Sequence, residues 1–206
     1  KKQANHFFLK RYFNKLSTKN NLLSDLAKKK KHQTIRGLLR IASISDCISK
    51  NNNFIFRWMA KHGHSYILRY LTSIPSVKES METKNNFALR WAARNGHFHV
   101  VEFLLKQSSI AHQLQHPCDL TIKWASRYGH TKILSLILSR PELFEKTKSH
   151  HEEALYETII HGHHETMKIL LTFSNIKKYL YIDDTALKWA VYKGNLKATL
   201  FLLQLP

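Results

Sequence analysis

Apolar residues recur along the chain in a fixed frame. Counted from Gly63, Gly96 and Gly129, the positions four, five, eight and nine residues later read Ile67, Leu68 and Leu71 in one copy, Val100, Val101, Leu104 and Leu105 in the next, then Ile133, Leu134, Ile137 and Leu138. That spacing lines one face of a helix with 3.6 residues per turn. Ten residues before each reference glycine stand Asn53, Asn86, Asp119, Glu152 and Asp184. Most of these types cap helix N-termini, so each is expected to open a helix of two turns. The glycine closes that helix, because it accepts the left-handed backbone of a C-terminal cap. A further apolar position fourteen residues after the glycine (Val77, Ile110, Leu143, Ile176) is expected to pin a connecting segment to the core.

The reference glycines, Gly63, Gly96, Gly129, Gly162 and Gly194, lie 33, 33, 33 and 32 residues apart. A helix pair of this size cannot bury its apolar face alone, so such units stack. The same frame recovers a degenerate first copy: Leu26 and Ala27 match Ala92 and Ala93, Ile35, Leu38 and Leu39 match the second helix, Ile44 matches the connector position, and Lys30 replaces the glycine. Residues 1–20 read as an amphipathic helix capping the open end. The predicted organisation is therefore a capping helix at 1–20 and a repeat domain of about six units at 21–206.

A 33-residue period of helix, Gly-His, helix resembles the ankyrin repeats, and the A-A-R-N-G-H-x-x-V-V-x-x-L-L run at 92–105 carries the resemblance most specifically. It implies an all-α, ankyrin-type solenoid. The family's T-P-L-H helix start is replaced by Phe87-Ala88-Leu89-Arg90 and by Thr185-Ala186-Leu187-Lys188. Its hairpin fingers give way to segments such as PELFEK (141–146) and NIKKYL (175–180), which read as short helical connectors. The Lys-, Asn- and Ile-rich units are similar in style to ankyrin proteins of intracellular bacteria and large amoeba viruses, many of them delivered into host cells. That style implies a host-targeting module of an effector. The chain begins with Lys1 rather than Met and ends on an apolar helix, so it reads as an excised fragment or, at its end, as a dimer contact.

Charge adds a second pattern. The sequence has 33 Lys plus Arg against 14 Asp plus Glu, a net +19, which favours acidic partners. Residues six and two before each glycine are i, i+4 neighbours: Arg57 with Lys61, Arg90 with Arg94, Lys123 with Arg127, then Tyr156 with Ile160, and Lys188 with Tyr192. Like charges so placed destabilise a helix by about 0.2–0.5 kcal/mol. Three such doublets in register point to a surface that meets something acidic. Beside them runs a column of Trp58, Trp91, Trp124, Glu157 and Trp189, with Tyr128 nearby. The rings fit either packing between units or an exposed contact rim, and a slot that accepts Glu157 is not expected to be fully buried.

Catalytic chemistry finds no support. There is no Gly-rich phosphate loop, H-E-x-x-H or G-x-S-x-G, and the acidic residues form no pair suited to acid–base work. Four of the 14 histidines, His64, His97, His130 and His163, follow the repeat glycine, where the resemblance implies a structural role. His161, His163, His164 and Glu165, with His150 and His151 upstream, lack the spacing of a helical metal site. Cys118 beside His116 is a poor candidate for a nucleophile, and Cys47 and Cys118 form no C-x-x-C pair, which fits a reducing compartment. No run reaches the roughly 18 apolar residues of a membrane span. The KKKK run at 28–31 fits a nuclear-localisation signal and equally a solvated turn.

The expectation is a non-catalytic scaffold, monomeric, without metal or cofactor, in the cytoplasm or in a host cytoplasm or nucleus. Its first-helix face (Arg57, Trp58, Lys61, Arg90, Trp91, Arg94, Lys123, Trp124, Arg127, Tyr128, Lys188 and Trp189) would bind an acidic protein. The alternatives are nucleic acid or anionic lipid on that face, or a targeting region of a larger enzyme. Steep salt dependence would mark nucleic acid.

Overall fold

The computed structural model describes residues 23, 25, 26, 28, 29, 32–39, 54–75, 77, 83–107, 120–146, 151–173 and 185–205. Twelve helices lie among them, and no strand does: α1 (His32–Leu39), α2 (Phe54–Lys61), α3 (Ser65–Leu71), α4 (Thr83–Arg94), α5 (Phe98–Leu105), α6 (Thr121–Arg127), α7 (Thr131–Leu138), α8 (Pro141–Lys146), α9 (His151–Ile160), α10 (His164–Leu171), α11 (Thr185–Tyr192) and α12 (Leu196–Leu203). The chain divides into two compact units, Lys1–Ala88 and Leu89–Pro206, with the border inside α4. The expected capping helix at 1–20, Cys47, His116, Cys118, His150 and the connector positions Ile44, Ile110 and Ile176 lie outside the described residues.

In the first unit α3 packs against both α1 and α2. Leu23, Ile35, Ile55, Phe56, Met59, Ala60, Ile67, Leu68 and Leu71 are buried there, and so is Val77, fourteen residues after Gly63 as expected. Lys28 and Lys29 of the KKKK run are exposed.

In the second unit first helices pack on first helices (α6 on α9, α9 on α11), and second helices on second (α5 on α7, α7 on α10). The predicted apolar face of each second helix is buried in α5 and α7. In α10 it reads Thr166, Met167, Leu170 and Leu171, also buried, and the Thr166 hydroxyl meets that of Thr131 at 2.8 Å. The first helices α4, α6 and α9 bury positions seven, four and three before their glycines: Leu89, Ala92 and Ala93, then Ile122, Ala125 and Ser126, then Leu155, Thr158 and Ile159. The small residues in this set let neighbouring helices approach closely. In α12, by contrast, only Ala198 is buried, and Leu196, Leu200 and Leu203 are exposed.

The glycine turn is the same in all five described pairs. Each glycine has φ between 66° and 79°. Its N–H donates to the carbonyl three residues back, and the next N–H to the carbonyl five residues back from itself, as in Gly129 to Ser126 and His130 to Ala125. Those two bonds form a Schellman cap, which satisfies the last carbonyls of the first helix. Of the expected caps, Asn86 and Glu152 do not cap, whereas the expected helical PELFEK connector does form. Asn86 and Glu152 lie inside α4 and α9, which begin at Thr83 and His151. No Gly or Pro stands at 83–86 to stop α4 from extending upstream. The PELFEK connector is a helix, α8, with Pro at its first position and Leu143 buried.

Candidate binding surface

The repeat turn positions the surface. His130 does not cap α7 with its side chain; its ring reaches back to the preceding pair, where Nε2–H donates to the Arg94 carbonyl at 2.8 Å. His163 does the same to the Arg127 carbonyl at 2.8 Å. In the last pair Asn195 replaces His and donates from Nδ2 to the Ile159 carbonyl at 2.9 Å. The backbone of Arg94 and Arg127 is thus held at the end of its helix while the side chain projects from the last turn.

Arg94 is stacked rather than free. Its guanidinium carbon lies 4.5 Å from the Trp91 ring centroid, 4.4 Å from Trp124 and 5.4 Å from Tyr128. Its Nε–H donates to the Tyr128 hydroxyl at 3.2 Å. Trp91 and Trp124 meet edge to face at 5.7 Å. Contacts of this kind contribute about 0.5–1 kcal/mol each when solvated. Both tryptophans are half-buried, so the column is packing and rim at once.

One register further on, an acid takes the place of the ring. Glu157 lies 3.9 Å from both Lys123 Nζ and Arg127 Nε, and 3.2 Å from His161 Nε2. Glu153 reaches Lys123 at 3.2 Å. The Lys123–Arg127 doublet, whose spacing pointed to an acidic partner, therefore has acids of its own chain beside it. Glu153, which the sequence reading did not single out, is one of them; Glu157 was visible as the break in the Trp column.

Arg94, Leu120, Lys123, Trp124, Arg127 and Tyr128 line one open recess of about 390 Å³. Lys188 and Trp189 line another, of about 450 Å³, with Thr185 and Tyr192. Lys193 lies 5.4 Å from the Tyr192 ring and 5.9 Å from Trp189. Arg90 is half-buried and already engaged. The first unit holds Arg57, Trp58 and Lys61. Arg57, expected at the surface, is instead buried at 8% exposure, its guanidinium 5.1 Å from the Phe87 ring and its Nε without a hydrogen-bond partner. Burial holds its pKa below the usual arginine value. Trp58 packs at 4.1 Å from His62 and 5.7 Å from His64, so it too is engaged locally.

Among the described residues no group of three or more His, Cys, Asp or Glu is arranged to hold a metal, and no helix is long and apolar enough to cross a membrane. The profile of ankyrin repeats (3 copies) matches residues 23–115 and 122–205, most of the sequence. The chain belongs to the ankyrin-repeat family. Its fold class is accordingly an all-α repeat solenoid. A solved structure of an ankyrin repeat family protein from Legionella pneumophila is similar at 17% identity, with a TM-score of 0.49, over 95% of this chain and 71% of that one. No curated protein matches the sequence. Ankyrin repeats are in general protein–protein interaction modules without catalysis, so this chain is an interaction scaffold.

Proposed function

We propose that the scaffold binds a protein partner at the recess of Arg94, Lys123, Trp124, Arg127 and Tyr128, with acidic side chains of the partner on Arg94 and Arg127 and apolar groups against Trp124 and Tyr128. The stacking of Arg94 carries this reading. Two Trp rings and a Tyr hold its guanidinium, and only Tyr128 accepts a hydrogen bond from it among the described residues. A planar donor fork held in advance suits a carboxylate, because little side-chain freedom is lost on binding. The neighbouring rings supply the aromatic anchor area that dominates protein interfaces.

The test uses a fluorescent copolymer of glutamate and tyrosine, followed by anisotropy at low and moderate salt. Arg94→Gln and Trp124→Ala should each weaken binding about tenfold or more, from the loss of a charge-assisted hydrogen bond or an aromatic anchor. A single-stranded oligonucleotide that binds more tightly, with steep salt dependence and indifference to both substitutions, would overturn the reading in favour of nucleic acid.

A further inference from the structure

Trp124 and Glu157 occupy the same place in successive units, five residues before the glycine. Trp124 lies over the guanidinium of Arg94, the cation two residues before the preceding glycine. Glu157 lies against Arg127, the cation in the same place one unit later. One slot therefore addresses one cation, once with a ring face and once with a carboxylate. Glu157 is the chain's own example of an anion seated at the edge of the recess.

That seat is loosely held. Lys123 Nζ and Arg127 Nε both stand 3.9 Å away, beyond hydrogen-bond distance, and among the basic side chains of the described residues only His161 comes closer. Lys123 is nearer to Glu153 than to Glu157. Half of the Arg127 side chain is exposed against 14% for Glu157, so a carboxylate arriving from solvent meets the arginine first. Separated, partly solvated ion pairs contribute little. A bidentate carboxylate on a guanidinium is among the strongest polar contacts available.

We infer that Glu157 is an internal competitor for the recess: it covers Arg127 and Lys123 in the free chain and yields them to an acidic side chain of the partner. The inference rests on the recess being the partner surface, and it narrows the ligand. The fitting group is a carboxylate close to an aromatic or apolar side chain, because Trp124 and Tyr128, with ring centroids 6.4 Å apart, flank the same opening. Glu157 sets the threshold of acidity that a ligand must exceed to enter.

The experiment measures the affinity of the glutamate–tyrosine copolymer for the unmodified chain and for Glu157→Gln, Glu142→Gln, Arg94→Gln and Trp124→Ala, with a thermal midpoint for each. Glu142 is exposed and does not line the recess, so its variant carries the same change in net charge without touching the seat. Glu157→Gln should bind about three- to fivefold more tightly, the upper value corresponding to roughly 1 kcal/mol. Its thermal midpoint should stay level or fall, whereas a purely structural Glu157 would lower binding and midpoint together. Equal tightening by Glu142→Gln would reduce the effect to net charge and overturn the inference. Unchanged or weaker binding by Glu157→Gln, with Arg94→Gln and Trp124→Ala still weakening it, would overturn the competitor and leave the surface standing. Indifference to all four substitutions would remove both.

Discussion

Gly129→Ala and Gly162→Ala make a matched pair that isolates one contact between repeats. Both glycines close a first helix with nearly the same backbone, φ 71° and 75°. An alanine there meets the left-handed penalty of about 1–2 kcal/mol, partly offset by about 0.4–1 kcal/mol from a less flexible unfolded chain. Gly162→Ala adds little else, since its new Cβ stands 3.5 Å from the nearest atom of Asn195, an ordinary contact. At Gly129 the Cβ would lie 2.6 Å from His163 Nδ1 and 2.9 Å from its Cγ, so the ring must move. Moving it breaks the 2.8 Å bond to the Arg127 carbonyl, worth about 1 kcal/mol net and up to about 3 kcal/mol if the carbonyl is left unmet. Gly162→Ala should therefore cost about 1 kcal/mol and Gly129→Ala about 2–4 kcal/mol. Urea unfolding followed by far-ultraviolet circular dichroism measures both. In a His163→Ala background the extra cost of Gly129→Ala should vanish, a coupling that a double-mutant cycle reads directly. Equal costs for the two glycines, or an unchanged cost without the imidazole, would refute the packing argument.

Three further outcomes follow from the surface. Arg57→Met should leave stability unchanged or raise it by up to about 1 kcal/mol, because a buried guanidinium with an unmet Nε is replaced by an apolar group of similar length; a loss above about 2 kcal/mol in urea unfolding would contradict this. Arg94→Lys keeps the charge but not the plane, so it should lose about 1 kcal/mol and shift tryptophan emission nearly as far as Arg94→Ala does; full recovery with Lys would show that stacking is immaterial. The partly exposed Lys123–Glu153 pair should couple by only about 0.2–1 kcal/mol in a double-mutant cycle and lose most of that in 1 M salt; coupling above about 2 kcal/mol would mean that the pair is shielded from solvent.

The repeat was legible because it is written in residues that do one job wherever they stand. Gly96 and Gly129 take positive φ, Val100, Val101, Leu104 and Leu105 are buried, and Leu143 is buried at its predicted distance from the glycine. Helix starts were less legible. Asn86 is a good capping residue, yet whether it caps depends on where the upstream chain leaves the helix, and α4 begins at Thr83. The surface was half legible. Position along the helix placed Lys123 and Arg127 together on one face, and Glu157 stood out as the residue that broke the Trp column.

The sequence by itself determined the helix pairs, their turns and the face on which the cations stand, since local spacing and backbone preference decide those. Several partners of the cations belong to the next repeat, some thirty residues away, and only stacking brings those into range. Trp124 on Arg94, Glu157 beside Arg127 and His163 on the Arg127 carbonyl are all contacts of that kind. The burial of Arg57 is likewise a property of its surroundings rather than of its position in the helix. Charge read along one helix therefore counted as free several groups that the neighbouring repeat had already taken up.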